Sequence, residues 1–150
     1  MMHIGKRSID RIGQPYIVAE IGGNHNGSLA TLKLLIQAAK DSGADAVKLQ
    51  AYTPDTITLD SSKADFVLSS GPWKGRRLYD LYNEAHTPFE WFPEAMETAA
   101  RLDVGCFASV FDRTSVDMLE GLGCPAYKIA SFEIVDIPLI KYVQKTGKPL

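Results

Sequence analysis

Apolar positions in this 150-residue chain follow two rhythms: short continuous runs, and longer stretches with apolar residues three and four apart. Runs over 16–20, 46–50, 105–109 and 127–131 predict four strands. Leu32, Leu35, Ile36 and Ala39 predict a helix over 29–42, with Gly43 as its stop. Phe89, Phe92, Met96 and Ala99 predict a second helix ending near Leu102, and Thr87-Pro88-Phe89-Glu90 reads as its capping box. Asp112 is placed to cap a third helix through Val116, Leu119 and Leu122, and Asp136 a fourth over 137–146 that Gly147 stops. A short hairpin over 4–12 is expected ahead of this series. An irregular stretch over 52–86, with a helical piece near 78–84, interrupts it, and residues 148–150 read as the approach to a fifth strand.

Mostly apolar strands alternating with helices predict an α/β fold on a parallel sheet. No Gly-x-Gly-x-x-Gly follows the first strand, which disfavours an open dinucleotide-binding sheet. Four βα units are half of a (β/α)8 barrel, whose complete form takes around 250 residues. Residues 1–150 are therefore expected to be the N-terminal part of a single TIM-barrel catalytic domain, cut before strand five.

Charge changes the picture mainly by exclusion. The net charge is −2 with no Lys/Arg run, so nucleic acid is not an expected partner. No apolar stretch approaches the roughly 20 residues needed to span a bilayer, and no apolar segment follows Lys6-Arg7 as a secretory signal requires. A cytoplasmic location is expected. Cys106 and Cys124 match no zinc spacing and read as reduced thiols.

Candidate chemistry gathers at the predicted strand ends: Glu20, then Lys48 with Gln50, then Ser109, and finally Lys128 with Ser131 and Glu133. A lysine inside an apolar strand is costly to bury unless paired. Two of them, with a serine nearby, suit a phosphate or carboxylate ligand. Glu20 is readable as a general acid or base, or as a salt-bridge partner of a lysine. Beside it, the turn over 21–27 offers Asn24, His25 and Asn26. An imidazole's ordinary pKa suits acid–base catalysis, but a lone histidine in a Gly/Asn turn, as His25 is, is more often a hydrogen-bonding scaffold; His86 reads as structural. Trp73, Tyr79, Tyr82, Phe89 and Trp91 either line a sugar pocket or pack the long connection onto the sheet. Ser109 has no evident His/Asp pair for nucleophilic catalysis.

Residues 19–27 (AEIGGNHNG), 44–50 (ADAVKLQ), 127–133 (YKIASFE) and 138–149 (PLIKYVQKTGKP) resemble the N-acylneuraminate synthase family. Residues 71–88 (GPWKGRRLYDLYNEAHTP) and 131–138 (SFEIVDIP) resemble its pseudaminic acid synthase branch. The resemblance implies a TIM barrel followed by a small C-terminal domain, and a condensation of phosphoenolpyruvate with an acylated amino sugar, a 2,4-diacetamido-trideoxy hexose. The products are a nonulosonic acid and phosphate. It implies that Lys48 and Ser131, with Lys128 beside them, hold phosphoenolpyruvate, that Glu20 is the catalytic carboxylate, and that Gln50 and Glu133 face the sugar, with Asn24 a further substrate contact. It also implies a divalent metal (Mn²⁺, Mg²⁺ or Co²⁺) on histidines beyond Leu150, and a homodimer for the full-length protein. Val110 and Phe92 depart from the family's usual proline and histidine, a difference expected to touch substrate detail. Three alternatives stand beside this reading: sialic acid synthase, a Schiff-base aldolase with Lys128 as nucleophile, and an inactive fragment or sugar-binding protein.

Overall fold

The chain opens with an antiparallel hairpin of β1 (Met2–Ile4) and β2 (Arg7–Ile9), pairing Met2 with Ile9 and Ile4 with Arg7. The computed structural model describes residues 2–10 and 12–150; the expected hairpin over 4–12 thus starts earlier, and residue 11 lies outside the described residues. Arg7 ties the hairpin to the sheet. It ion-pairs with Asp45, stacks on the Tyr16 ring 5.5 Å from its centroid, and donates to the carbonyls of Gln14 and Pro15.

Four parallel strands follow: β3 (Val18–Glu20), β4 (Ala46–Ala51), β5 (Gly105–Val110) and β6 (Tyr127–Ile129). Their order in the sheet is their order in the chain. A doubly wound sheet reverses direction at a switch point, whereas unbroken sequential order is the winding of a (β/α)8 barrel. The Tyr127 N–H donates to the Pro149 carbonyl at 2.9 Å, so the segment after the last helix already lies against β6, where a fifth strand belongs.

The helices form where side chains satisfy their first N–H groups. In α1 (Leu29–Asp41), the Ser28 hydroxyl accepts from Thr31 N–H; Asp112 and Asp136 do the same for α5 (Arg113–Gly121) and α6 (Ile137–Gln144). Within the long connection, α2 (Pro54–Ile57) is a turn that periodicity is too short to reveal, built on reciprocal bonds between Thr53 and Thr56. It is followed by α3 (Leu78–Ala85).

Before α4 (Phe92–Arg101), the structure corrects the expected capping box. A 3-10 turn (Phe89–Trp91) intervenes, and Thr87 makes no cap because its buried hydroxyl is engaged by His25, 62 residues away in sequence. Among the described residues, no helix is long and apolar enough to cross a membrane.

Most of the core packs on one side of the sheet. Val47, Leu49, Ala51, Cys106, Ala108 and Val110 meet Leu32, Ile36, Phe92, Ala95, Val116, Leu119, Leu139 and Val143 from the helices. Val110 and Phe92 are both 0% exposed within that core, so their departure from the family pattern is a matter of packing rather than of substrate contact. Phe92 meets Phe89 edge-on at 6.0 Å. Phe92→Ala should destabilise the fold by about 3–5 kcal/mol, read as a lower urea midpoint with unchanged slope. An unchanged midpoint would show that the α4 contact collapses without loss.

Candidate functional site

Register puts the polar strand residues on the other face. Glu20 pairs with Lys48, Lys48 with Phe107, Gln50 with Ser109, and Ser109 with Lys128. Side chains two apart along a strand share a face, so Glu20, Lys48, Gln50, Ser109 and Lys128 all project from the side that the helices leave free. The two lysines are not level: Lys128 sits one pleat repeat further along, opposite Gln50's row. Two strand spacings and that offset separate their Cα atoms by roughly 12 Å, a gap that two long lysine stems span from either side.

Lys48 and Glu20 form an ion pair, with the lysine side chain 18% exposed and the glutamate 44%. The pairing explains how a cation sits in an apolar strand. Both readings of Glu20, charge partner and acid/base, therefore remain chemically available from one geometry: the carboxylate lies at the strand end, half open to solvent, beside a cation.

The turn after β3 is shaped by two glycines. Gly22 adopts φ +52°, the left-handed region, with Glu20 Oε1 and Gln50 Nε2 beside it. At Gly23, a Cβ would come within 2.9 Å of the Ala85 carbonyl oxygen at the end of α3. The turn is thereby pressed between the polar face and the α3–α4 junction.

His25, at its centre, is fully buried. Its Nδ1 accepts from the Gly27 N–H at 3.2 Å, its Nε2 lies 3.0 Å from Thr87 Oγ1, and its ring meets Trp91 edge-on at 5.4 Å. Burial, with a smaller contribution from His86, lowers its pKa. His25 is thus the scaffold that the sequence allowed, and Thr87 is its unforeseen partner. A threonine ahead of Pro88 carries the same sequence signal whichever way its hydroxyl points.

Asn24 is exposed on the opposite side of this turn. With Glu20, Ile17, Ala19 and Leu35, it borders a cavity of about 350 Å³ between the free edge of β3 and α1. Ser131 follows β6 rather than belonging to it, starting an exposed 3-10 turn (Phe132–Val135). Glu133, in that turn, has a buried Oε2 with no hydrogen-bond partner. Burial raises its pKa, while Lys128 pulls it down and Asp136 pushes it up.

Of the aromatic set, Tyr82 packs edge-on against Tyr52, which also meets Phe111, and Tyr79 donates to Asp55. Phe89 and Trp91 pack on Phe92 and His25. Only Trp73 of the five is left half exposed, without a ring neighbour among the described residues. Four of the five aromatics therefore pack the connection, and Trp73 stays half exposed.

The residues present do not fit a metal ion. Among the described residues, no three His, Cys, Asp or Glu side chains converge, and Glu20 is already committed to Lys48.

The family model described as "NeuB family" matches residues 35–150. Pseudaminic acid synthase of Helicobacter pylori is 48% identical over 136 residues, which cover 91% of this chain and 40% of that protein. Pseudaminic acid synthase of Campylobacter jejuni is 44% identical over 148 residues, covering 99% of this chain and 43% of that protein. Among solved structures, the N-acetylneuraminic acid (sialic acid) synthetase of Leptospira borgpetersenii, crystallised with citrate, superposes with a TM-score of 0.73 at 27% identity, over 89% of this chain and 42% of that one. The chain thus spans about two fifths of the length of these relatives.

Proposed function

This chain belongs to the NeuB family, and on that premise we propose that it is the substrate-holding N-terminal part of a pseudaminic acid synthase-like enzyme. The reaction joins the methylene carbon of phosphoenolpyruvate to the aldehyde carbon of a 2,4-diacetamido-trideoxy hexose. Water adds at the carbon that carries the phosphate, and inorganic phosphate leaves with the nonulosonic acid as the other product.

The observation that carries this reading is the strand register, which gathers two cations, a carboxylate and two neutral hydrogen-bonding groups on one face at the ends of parallel strands. In it, Lys48 and Lys128 neutralise the phosphate and carboxylate of phosphoenolpyruvate, and Ser131 adds a hydroxyl donor. Such charge-assisted bonds are strong and directional. Glu20 moves a proton at the attacking water or the sugar oxygen, while Lys48 holds it in place. Gln50 and Glu133 face the sugar, Glu133 through the buried Oε2 that has no hydrogen-bond partner within the described residues. Any divalent ion is held by side chains outside residues 1–150, and no step here passes through it. The domain is one barrel, of which this chain is the first half.

Identities of 48% and 44% to two pseudaminic acid synthases favour that sugar over its relatives. The full-length protein, given phosphoenolpyruvate and a divalent ion, should release phosphate fastest with the 2,4-diacetamido hexose. Preference for N-acetylmannosamine would reassign the sugar, and phosphoenolpyruvate-independent chemistry trapped by borohydride would replace the reaction with that of a Schiff-base aldolase.

A further inference from the structure

We propose that His25 is a positioning residue of this site: as a neutral ring clasped at both nitrogens, it fixes the turn after Glu20 to the Thr87–Trp91 junction. The inference rests on the reading of Glu20 as the group that moves a proton.

The hydrogen bonds determine the tautomer. Gly27 offers an N–H, so Nδ1 must present a lone pair and the ring proton must sit on Nε2, which donates to the Thr87 hydroxyl. A proton on Nδ1 would face the Gly27 N–H, donor against donor, in a fully buried space. Among the groups packed around the ring, Gly27, Thr87 and Trp91 carry no charge, and His86 is the titratable neighbour that acts on it. His86 is itself bonded through Nδ1 to the Asn83 carbonyl at 2.7 Å. A second positive charge at His86 disfavours one at His25.

The clasp matters for the site because of what the turn touches. Ile21 N–H donates to the Lys48 carbonyl at 3.1 Å, Gly22 lies against the Glu20 and Gln50 side chains, and Gly23 abuts the Ala85 carbonyl. A turn released from Thr87 slides on the face that Glu20 and Gln50 share. Displacements of about 1 Å at a reacting group cost on the order of 10²-fold in rate.

The sign of the pH effect follows. The folded-state pKa of His25 lies below its unfolded value, so the clasp contributes fully above the ordinary imidazole pKa of ~6.5 and is lost as pH falls through the lower folded value.

The test uses the full-length protein and two variants, His25→Phe and Thr87→Val. The second keeps the shape of its side chain and removes only the hydroxyl. Both should lower kcat by roughly 10- to 100-fold while the phosphoenolpyruvate KM stays within about twofold, and His25→Phe should remove an acid limb from the kcat profile. Nitrogen-15 spectra of the wild-type imidazoles should show one ring held as the Nε2–H tautomer and charging below the ordinary range. Hydrogen exchange at the Gly27 amide should accelerate in both variants. A wild-type ring that charges in the ordinary range, or folded variants that keep wild-type kcat, would overturn the proposal. If the wild-type protein does not turn over the sugar, the reading of Glu20 fails instead. The ring spectra and Gly27 exchange then judge the clasp alone, and an unclasped ring refutes it.

Discussion

Residues 1–150 alone should release no phosphate from phosphoenolpyruvate and the diacetamido sugar, while the full-length protein turns over in the same buffer. Four strands do not close a barrel. Among the described residues, β3 has a strand neighbour on one edge only, and β6 meets just the Pro149 carbonyl on its outer side. The face carrying Lys48 and Lys128 then lacks the strands that would close around it, and opposite charges a few ångströms apart interact several-fold more weakly in water than in a protein interior. The relatives named pseudaminic acid synthase are about two and a half times as long as the matched stretch. Phosphate release followed side by side for the two proteins checks this. Steady sugar-dependent turnover by residues 1–150 would mean that half a barrel holds every group the chemistry needs.

The second large effect is expected at Glu20. Glu20→Gln in the full-length protein keeps the shape of the side chain and removes its charge, so the Lys48 ion pair is lost while Lys48 itself remains a cation at the same strand position. Phosphoenolpyruvate binding should persist, and kcat should fall by about 10²–10⁴-fold, the usual range for loss of a general acid or base. Steady-state kinetics with both substrates separates the two roles. A variant that keeps most of its rate demotes Glu20 to the charge partner of Lys48.

Much of the frame was legible because it rests on local chemistry. The α1 face of Leu32, Ile36 and Ala39, the Gly43 stop, and the Asp112 and Asp136 caps all depend on residues within one or two turns of each other. The element that failed, the Thr87 capping box, depended on a partner 62 residues away: the His25 ring took the hydroxyl that the helix start would otherwise have used. The apolar run predicts strand four over 127–131, but β6 ends at Ile129, because Ser131 turns into a 3-10 helix with an αR backbone.

The site divides in the same manner. That Lys48 needs a partner follows from its apolar neighbours, and Glu20, at the end of the adjacent strand, is the carboxylate in reach. That Lys128 lies one pleat beyond Lys48, in the row of Gln50 and Ser109, did not follow, because register between strands is set by pairing and not by either strand's own sequence. His25 posed a choice between catalyst and scaffold that only its burial decides. Phe92 and Val110 looked like substrate-facing departures from a family pattern, yet both belong to the core, since strand alternation and helix phase turn them toward the packed side.

The central claim is that the lysines on the free face of this sheet hold phosphoenolpyruvate, and a calorimetric titration of the full-length protein and its Lys48→Met variant tests it most directly. Loss of a hydrogen bond to a charged group costs on the order of 1.5–3 kcal/mol, so the Kd for phosphoenolpyruvate should rise roughly 10- to 150-fold in the variant. Equal Kd values for the two proteins would contradict the account and move the anion site elsewhere.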